Sequence, residues 1–107
     1  MIKKLSQISE YDVRQFRLML SSITAYEAGK IALGHLVSNL EALQLTLEGQ
    51  DLEFKARFEP LWGKLEDTYA MMLYEERTAI NNIDHQLITA SLAELKPLIS
   101  SRLTPEN

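Results

Sequence analysis

Apolar residues recur at intervals of three and four positions along most of this chain, and no segment alternates apolar with polar residues. Spacing of this kind places side chains on one face of an α-helix, whereas a half-buried strand requires alternation. The pattern divides into four segments, roughly 9–25, 31–47, 54–80 and 83–99. Four amphipathic helices joined by short connections predict an all-α fold, an antiparallel bundle of four main helices.

Capping residues mark several of the predicted helix ends. Ser9 followed by Asp12 matches a capping box, in which each side chain accepts a hydrogen bond from the other residue's backbone N–H. Gly29 is placed to end the first helix or to form the turn after it, because glycine readily adopts a positive φ. Asp51 follows a short polar break and can cap the third helix, and Asp84 can cap the fourth.

Five residues disfavour the interior of a helix or its continuation. Gly34 destabilises the second helix by about 1 kcal/mol relative to alanine, unless it admits a close neighbour. Pro60 and Pro97 predict kinks or breaks in the third and fourth helices, because proline lacks the N–H and crowds the preceding turn. The third helix is expected to end near Ile80, since two asparagines follow it.

The apolar faces of the third and fourth helices are predicted from spacing alone. The third helix carries the large residues Phe54, Phe58, Trp62, Leu65, Tyr69 and Met72 on one face. The fourth helix is assigned the apolar residues Ile83, Leu87, Ala90, Leu95, Leu98 and Ile99. Large side chains at helical spacing are typical of a core, so both sets are expected to face the interior of the bundle.

Length and composition limit the classes of protein that this chain can belong to. A single helical domain is expected over 1–107, with flexible ends at 1–8 and 104–107. The absence of cysteine excludes disulfides and thiolate metal sites. The longest uncharged stretch, 31–40, is about half as long as a bilayer-spanning helix. Because the first residues also lack the apolar run of a secretory signal, we expect a cytoplasmic protein without a membrane span.

Charge is distributed unevenly along the chain, whose formal net charge is −4. Residues 41–76 contain nine acids against three bases, a local balance of −6, whereas residues 1–30 contain five bases against three acids, a balance of +2. An acidic middle segment is unsuited to nucleic acid phosphates and attracts a basic partner instead.

No arrangement of residues in the sequence matches a known catalytic or metal-binding pattern. His35 and His85 are far apart, and neither belongs to a motif that would place several ligands on one helical face. The sequence has no nucleophile elbow and no glycine-rich phosphate loop. Adjacent acids point about 100° apart on a helix, so they cannot share one reaction centre. We therefore expect no enzymatic activity, no cofactor and no metal.

The first two helices, joined at Gly29, loosely resemble a helix-turn-helix with Arg14, Arg17 and Lys30 nearby. A helix that reads DNA needs basic or polar side chains for base edges and phosphates. The second helix carries only one charged residue, the acid Glu41. A nucleic acid partner is therefore not expected.

The end of the predicted third helix differs from its apolar face. Tyr74 lies off that face and is followed by Glu75 and Glu76. These two acids and Glu66 have no base three or four positions away, so they are predicted to remain available to a partner. A tyrosine among acids at a helix end suits an interface better than a core.

The two middle helices carry a pattern of residues known from small bacterial helical proteins. An apolar helix ends in Leu-Glu-x-Leu, a break follows, and then comes Phe-x-x-x-Trp-x-x-Leu-Glu-x-x-Tyr-Ala. The matching residues are Leu40, Glu41 and Leu43, then Phe58, Trp62, Leu65, Glu66, Tyr69 and Ala70. This pattern resembles the immunity proteins of contact-dependent growth inhibition systems (CdiI type). The similarity covers about three quarters of the chain and consists mainly of core residues.

The resemblance implies a cytoplasmic protein that binds and neutralises the C-terminal toxin domain of a cognate CdiA protein. It further implies a nuclease as the toxin, of the RNase A-like kind, whose cleft is basic because it binds phosphate. The predicted toxin-facing residues are Glu66, Asp67, Tyr74, Glu75 and Glu76. A competing patch at the other end of the third helix consists of Glu48, Asp51 and Glu53.

Two other functions are compatible with the same sequence. The chain could be a helical adaptor or regulatory subunit whose partner is not a toxin. It could also bind a small apolar ligand between its helices, in which case an internal cavity is expected beside Trp62.

Overall fold

The computed structural model describes residues 8–103 and shows four helices within them. Their bounds are α1 Glu10–Glu27, α2 Leu33–Leu45, α3 Leu52–Tyr74 and α4 Asn82–Ser101. The described residues contain no β-strand, so the predicted all-α bundle of four main helices is confirmed. The flexible ends expected at 1–8 and 104–107 lie outside the described residues, except for Ile8, which packs against the core.

The helices form a ring in which each one packs against two neighbours: α1 against α2 and α4, and α3 against α2 and α4. Arg102, the C-cap of α4, contacts Asp51, the N-cap of α3, so these two helices run antiparallel. The phenyl groups of Phe16 in α1 and Phe54 in α3 meet between the four helices, with centroids 5.1 Å apart in an edge-to-face arrangement. One hydrophobic core therefore serves all four helices.

The predicted face of α3 forms part of this core. Phe54, Phe58, Leu65 and Met72 are buried, and Trp62 and Tyr69 are partly buried against them. Phe54 and Phe58 stack with ring centroids 5.3 Å apart. The large residues on this face of α3 therefore belong to the hydrophobic core, as their spacing predicts.

The predicted face of α4 is wrong in its first half. Ile83, Leu87 and Ala90 are exposed, the first two with relative accessibilities of 68% and 48%. The residues that face the core there are Asp84, Ile88, Ser91, Leu92 and Leu95. That set also follows helical spacing, but it includes an aspartate and a serine, which a search for apolar residues passes over. The face of α4 is therefore rotated from the predicted one near its N-terminus.

Neither proline breaks its helix, since α3 continues through Pro60 and α4 through Pro97. Both prolines are exposed, as are Ala56 and Ala93, four residues before them. The carbonyl that each proline leaves without its usual N–H partner can therefore be hydrated. Buried residues on both sides of each proline hold the helices against the core.

Gly34 admits the close neighbour that its position in a helix requires. A Cβ atom at this position would lie 2.6 Å from Cζ of the Tyr69 ring, which is closer than van der Waals contact allows. The ring of Tyr69 therefore packs directly on the backbone of α2. Trp62 makes a second contact between the same helices, because its Nε1 donates to the carbonyl of Val37 over 2.9 Å.

The capping box predicted at the start of α1 is only half formed. Ser9 accepts a hydrogen bond from the N–H of Asp12 over 3.0 Å. The carboxylate of Asp12 does not return to Ser9 but accepts hydrogen bonds from the N–H groups of Glu48 and Gly49, both over 2.8 Å. Asp12 is buried, so it fastens the α2–α3 connection to the start of α1.

Asp51 caps α3 as predicted, accepting a hydrogen bond from the N–H of Phe54 over 2.9 Å. The cap of α4 is Asn81, and the predicted Asp84 completes a capping box with it. The side chains of Asn81 and Asp84 accept from each other's backbone N–H over 2.8 and 3.2 Å.

Helix α3 ends at Tyr74, well before the predicted Ile80, because the backbone reverses at Glu76. Glu76 has φ +57°, in the left-handed region. Its N–H donates to the carbonyl of Leu73 over 3.0 Å, and the N–H of Arg77 donates to that of Met72 over 2.8 Å. This pair of bonds is a Schellman motif, which usually has glycine at the left-handed position.

Candidate partner-binding surface

The connection between α3 and α4 and the adjoining helix ends, residues 66–87, are called here the hairpin tip. Nine large apolar side chains are exposed among the described residues, and six of them lie in the hairpin tip. These six are Met71, Leu73, Tyr74, Ile80, Ile83 and Leu87. Exposed apolar residues that are concentrated in one region mark a surface for another macromolecule.

The last turn of α3 extends beyond the start of α2. Tyr69 packs on Gly34 near the start of α2, and α3 continues from Tyr69 to Tyr74. Glu27, the last residue of α1, pairs with Lys96 of α4 over 2.9 Å. The molecule is elongated, 54 × 24 × 22 Å.

Arg77 holds the two helices of the hairpin tip together. Its Nη1 donates to Oδ2 of Asp84 over 2.6 Å, and its Nε donates to Oε1 of Glu75 over 2.6 Å. The hydrogen bond from Arg77 lowers the pKa of Asp84, and the two carboxylates raise the pKa of Arg77. Arg77 thus joins the end of α3 to Asp84, the buried residue in the first turn of α4.

This ion pair corrects one of the sequence predictions. Glu75 was expected to be available, because no base lies three or four positions away in a continuous helix. Since α3 ends at Tyr74, the chain folds back and brings Arg77 against Glu75 from two positions away. The carboxylate of Glu75 is therefore at least partly satisfied within the molecule.

The other predicted residues of this set remain on the surface. Glu66, Asp67, Tyr74 and Glu76 are all exposed, and Tyr74 has a relative accessibility of 85%. Within residues 8–103, neither Glu66, Asp67 nor Glu76 forms an ion pair. The structure therefore places the three acids and the tyrosine on or beside the exposed apolar cluster.

A groove of about 320 Å³ runs between α3 and α4 at the hairpin tip. Its lining residues are Asp67, Thr68, Met71, Glu75, Arg77, Asn81, Ile83, Asp84 and Leu87. The groove combines exposed apolar side chains with three carboxylates and one guanidinium. Sequence reasoning did not identify it, because Ile83 and Leu87 were assigned to the core and Arg77 to no role.

The competing patch is compensated by bases more extensively than the hairpin tip. Arg102 contacts Asp51 over 2.7 Å and Glu53 over 3.1 Å, and Glu53 is also 3.7 Å from Arg57. Burial by itself would raise the pKa of Asp51, but hydrogen bonds from Arg102 and from the backbone N–H of Phe54 outweigh it, so the pKa is lowered. Glu48 accepts a bond from the Ser9 hydroxyl over 3.3 Å.

Arg102 lies far from the patch in sequence, so no local spacing rule could have found its role. Its contacts leave less uncompensated negative charge at this end of α3 than at the other. The geometry therefore favours the hairpin tip as the partner-binding surface.

The remaining candidate sites offer little chemistry. His35 and His85 are exposed, and no group of three potential ligands within residues 8–103 could hold a metal ion. In the same part of the chain, every helix is too short or too polar to cross a membrane. Beside Trp62 there is a surface groove of about 210 Å³, lined in part by the exposed Glu41 and Leu45. It is smaller than a typical ligand pocket.

No protein-family model, curated protein or solved structure matches the chain. The resemblance to immunity proteins therefore stays a prediction.

Proposed function

We propose that this chain is a cytoplasmic immunity protein that binds and neutralises the C-terminal toxin domain of a cognate CdiA protein. The toxin domain is a nuclease of the RNase A-like kind, and the hairpin tip enters its basic active-site cleft. The chain acts by occupying this cleft and performs no catalysis of its own.

One observation carries the proposal: an exposed apolar cluster and carboxylates without an ion pair among residues 8–103 coincide in the hairpin tip. Tyr74, the most exposed of the large apolar residues, is of a type that often dominates binding energy. Glu66, Asp67 and Glu76 add negative charge to the same hairpin tip, which complements a phosphate-binding cleft and accelerates association.

The turn at Glu76 also supports a binding role. Two backbone hydrogen bonds and the ion pairs of Arg77 fix its conformation. A surface that is ordered before binding loses less conformational entropy on association. A non-glycine residue in the left-handed region costs roughly 1–2 kcal/mol, and such strain often occurs at functional sites.

The proposal predicts a CdiA toxin domain encoded directly upstream of this chain's gene, and the test is inhibition of that domain by this chain. We expect the two proteins to co-purify and the nuclease activity to be lost in the complex. Tyr74→Ala should weaken binding at least about tenfold. Leu45→Ala, at a residue with 68% accessibility outside the hairpin tip, is the matched control and should leave binding unchanged.

Charge reversal tests the electrostatic part of the proposal. Glu76→Lys should slow association and reduce its dependence on salt, because it removes attraction to the basic cleft. Glu94→Lys reverses an exposed acid in the C-terminal half of α4 and serves as the control. Binding without inhibition of the nuclease would point instead to an adaptor, and equal effects of both reversals would exclude the hairpin tip as the interface.

A further inference from the structure

We infer that the groove between α3 and α4 at the hairpin tip is a pocket for one long cationic side chain, arginine or lysine, of the partner. The inference rests on the proposed function, in which this surface meets a basic cleft. It names the chemical group that the surface recognises and the residue that anchors it.

The walls of the groove suit the aliphatic stem of such a side chain. Met71, Ile83 and Leu87 have relative accessibilities of 50%, 68% and 48%, although all three line the groove. Arginine and lysine bury their methylene groups on apolar surface while the charged end stays in a polar environment. A purely apolar side chain would cover the same walls but leave Asp67 without a cationic partner.

The charges of the groove require a positive head group. Asp67, Glu75 and Asp84 carry three negative charges against the single positive charge of Arg77, which leaves a balance of −2. Arg77 already contacts Glu75 and Asp84 over 2.6 Å each, so these carboxylates have a guanidinium partner. Asp67 has no ion pair with any residue that the structure describes, and it is therefore the anchor for the incoming cation.

The molecule itself shows that this surface accepts a guanidinium. The Arg77 side chain lines the groove with both of its ion pairs formed, and 26% of it remains accessible. A second cation placed at Asp67 would meet a surface whose net charge is still negative. Glu66, the neighbouring acid, does not line the groove, so the two adjacent carboxylates have separate roles.

The first arm of the test needs no toxin. N-acetyl-arginine methylamide and N-acetyl-lysine methylamide are titrated into the isotope-labelled protein, with N-acetyl-norleucine methylamide as the uncharged analogue. We expect amide shifts at Thr68, Ile83 and Leu87 with one or both cationic probes and none of comparable size with norleucine. The two cationic probes distinguish an arginine pocket from a lysine pocket.

The variant Asp67→Asn should abolish those shifts, and Glu66→Gln, one position away, should retain them. Both residues are exposed, so equal melting temperatures are expected and will show that the variants fold. Shifts that are absent with both cations, or that survive in Asp67→Asn, overturn the inference.

The second arm uses the upstream toxin domain. Asp67→Asn should weaken its binding about tenfold, and Glu66→Gln by less than about threefold. If the domain binds both variants equally well, the pocket is excluded while the proposed function stands. If the domain does not bind the wild-type chain, the proposed function fails, and the probe titration alone decides whether the pocket binds a cation.

Discussion

The two ends of α3 are both rich in acids, but the molecule uses these acids differently. At the first end, Asp51 and Glu53 pair with Arg102, and the nearby Asp12 accepts two backbone hydrogen bonds. At the second end, Arg77 compensates Glu75 and Asp84 only. The acids of the first end bind other parts of the same molecule, whereas Glu66, Asp67 and Glu76 at the second end form no ion pair among residues 8–103.

The largest effect should come from the buried acid at the first end. Asp12→Ala leaves the N–H groups of Glu48 and Gly49 without their acceptor and should destabilise the protein by roughly 3 kcal/mol. Urea unfolding followed by circular dichroism measures this loss. The exposed Glu10, two positions earlier, provides the control, and Glu10→Ala should change stability by less than about 0.5 kcal/mol. Similar losses in both variants would show that Asp12 does not fasten the connection.

A smaller effect is expected from the turns that end α1 and α3. After α1, the N–H of Gly29 donates to the carbonyl of Tyr26 over 2.9 Å and the N–H of Lys30 to that of Ala25 over 2.8 Å, so a second Schellman motif matches the one at Glu76. Gly29 has φ +78° and Glu76 has φ +57°. Glu76→Gly should stabilise the protein by about 1 kcal/mol, because it removes the left-handed strain, and Gly29→Ala should destabilise it by a similar amount. Thermal unfolding of both variants measures the two changes in stability. A loss of stability in Glu76→Gly would mean that the glutamate side chain contributes more than its backbone costs.

The dependence of stability on pH should also distinguish the two ends. The pKa values of Asp51 and Asp84 are lowered from 3.8, so each carboxylate stabilises the folded state above about pH 4. This contribution is lost as the pH falls through the lowered pKa of the folded state. Arg77→Met and Arg102→Met should each reduce the slope of the free energy of unfolding against pH on the acid side. Denaturant unfolding at a series of pH values measures this slope.

Arg77→Met should flatten the profile more than Arg102→Met, because Asp84 is buried and Asp51 is exposed. Lys96→Met, which removes an exposed ion pair with Glu27, is the control and should leave the acid slope nearly unchanged. A profile as steep in Arg77→Met as in the wild type would assign the acid sensitivity to other carboxylates.

Much of the fold could be predicted from spacing and capping chemistry. The four helices, the core face of α3 and the cap at Asp51 all follow from local rules that act within a few residues. The end of α3 could not be predicted from these rules. Glu76 has a positive φ there, and a sequence usually indicates a positive φ by a glycine, which is absent at this position. The buried face of α4 could not be predicted either, because it includes the polar residues Asp84 and Ser91.

The candidate site was predicted in part. Tyr74 and the acids near it were found because they lie off the apolar face of the helix, which is a property of sequence. The groove was missed because it needs Asp67 of α3 and Ile83 and Leu87 of α4 to be brought together by the hairpin. Arg77 was missed because its partners meet it only after the chain has turned.

The sequence alone determined that this protein is a helical bundle and that its negative charge is concentrated around the third helix. Helical spacing and charge are local properties, and they survive any arrangement of the helices. Only the tertiary structure decided which of those charges remain uncompensated. Ion pairs such as those of Arg102 and Arg77 depend on where each helix ends and which elements it meets. Glu66, Asp67 and Glu76 of the hairpin tip are the acids that form no such pair among residues 8–103.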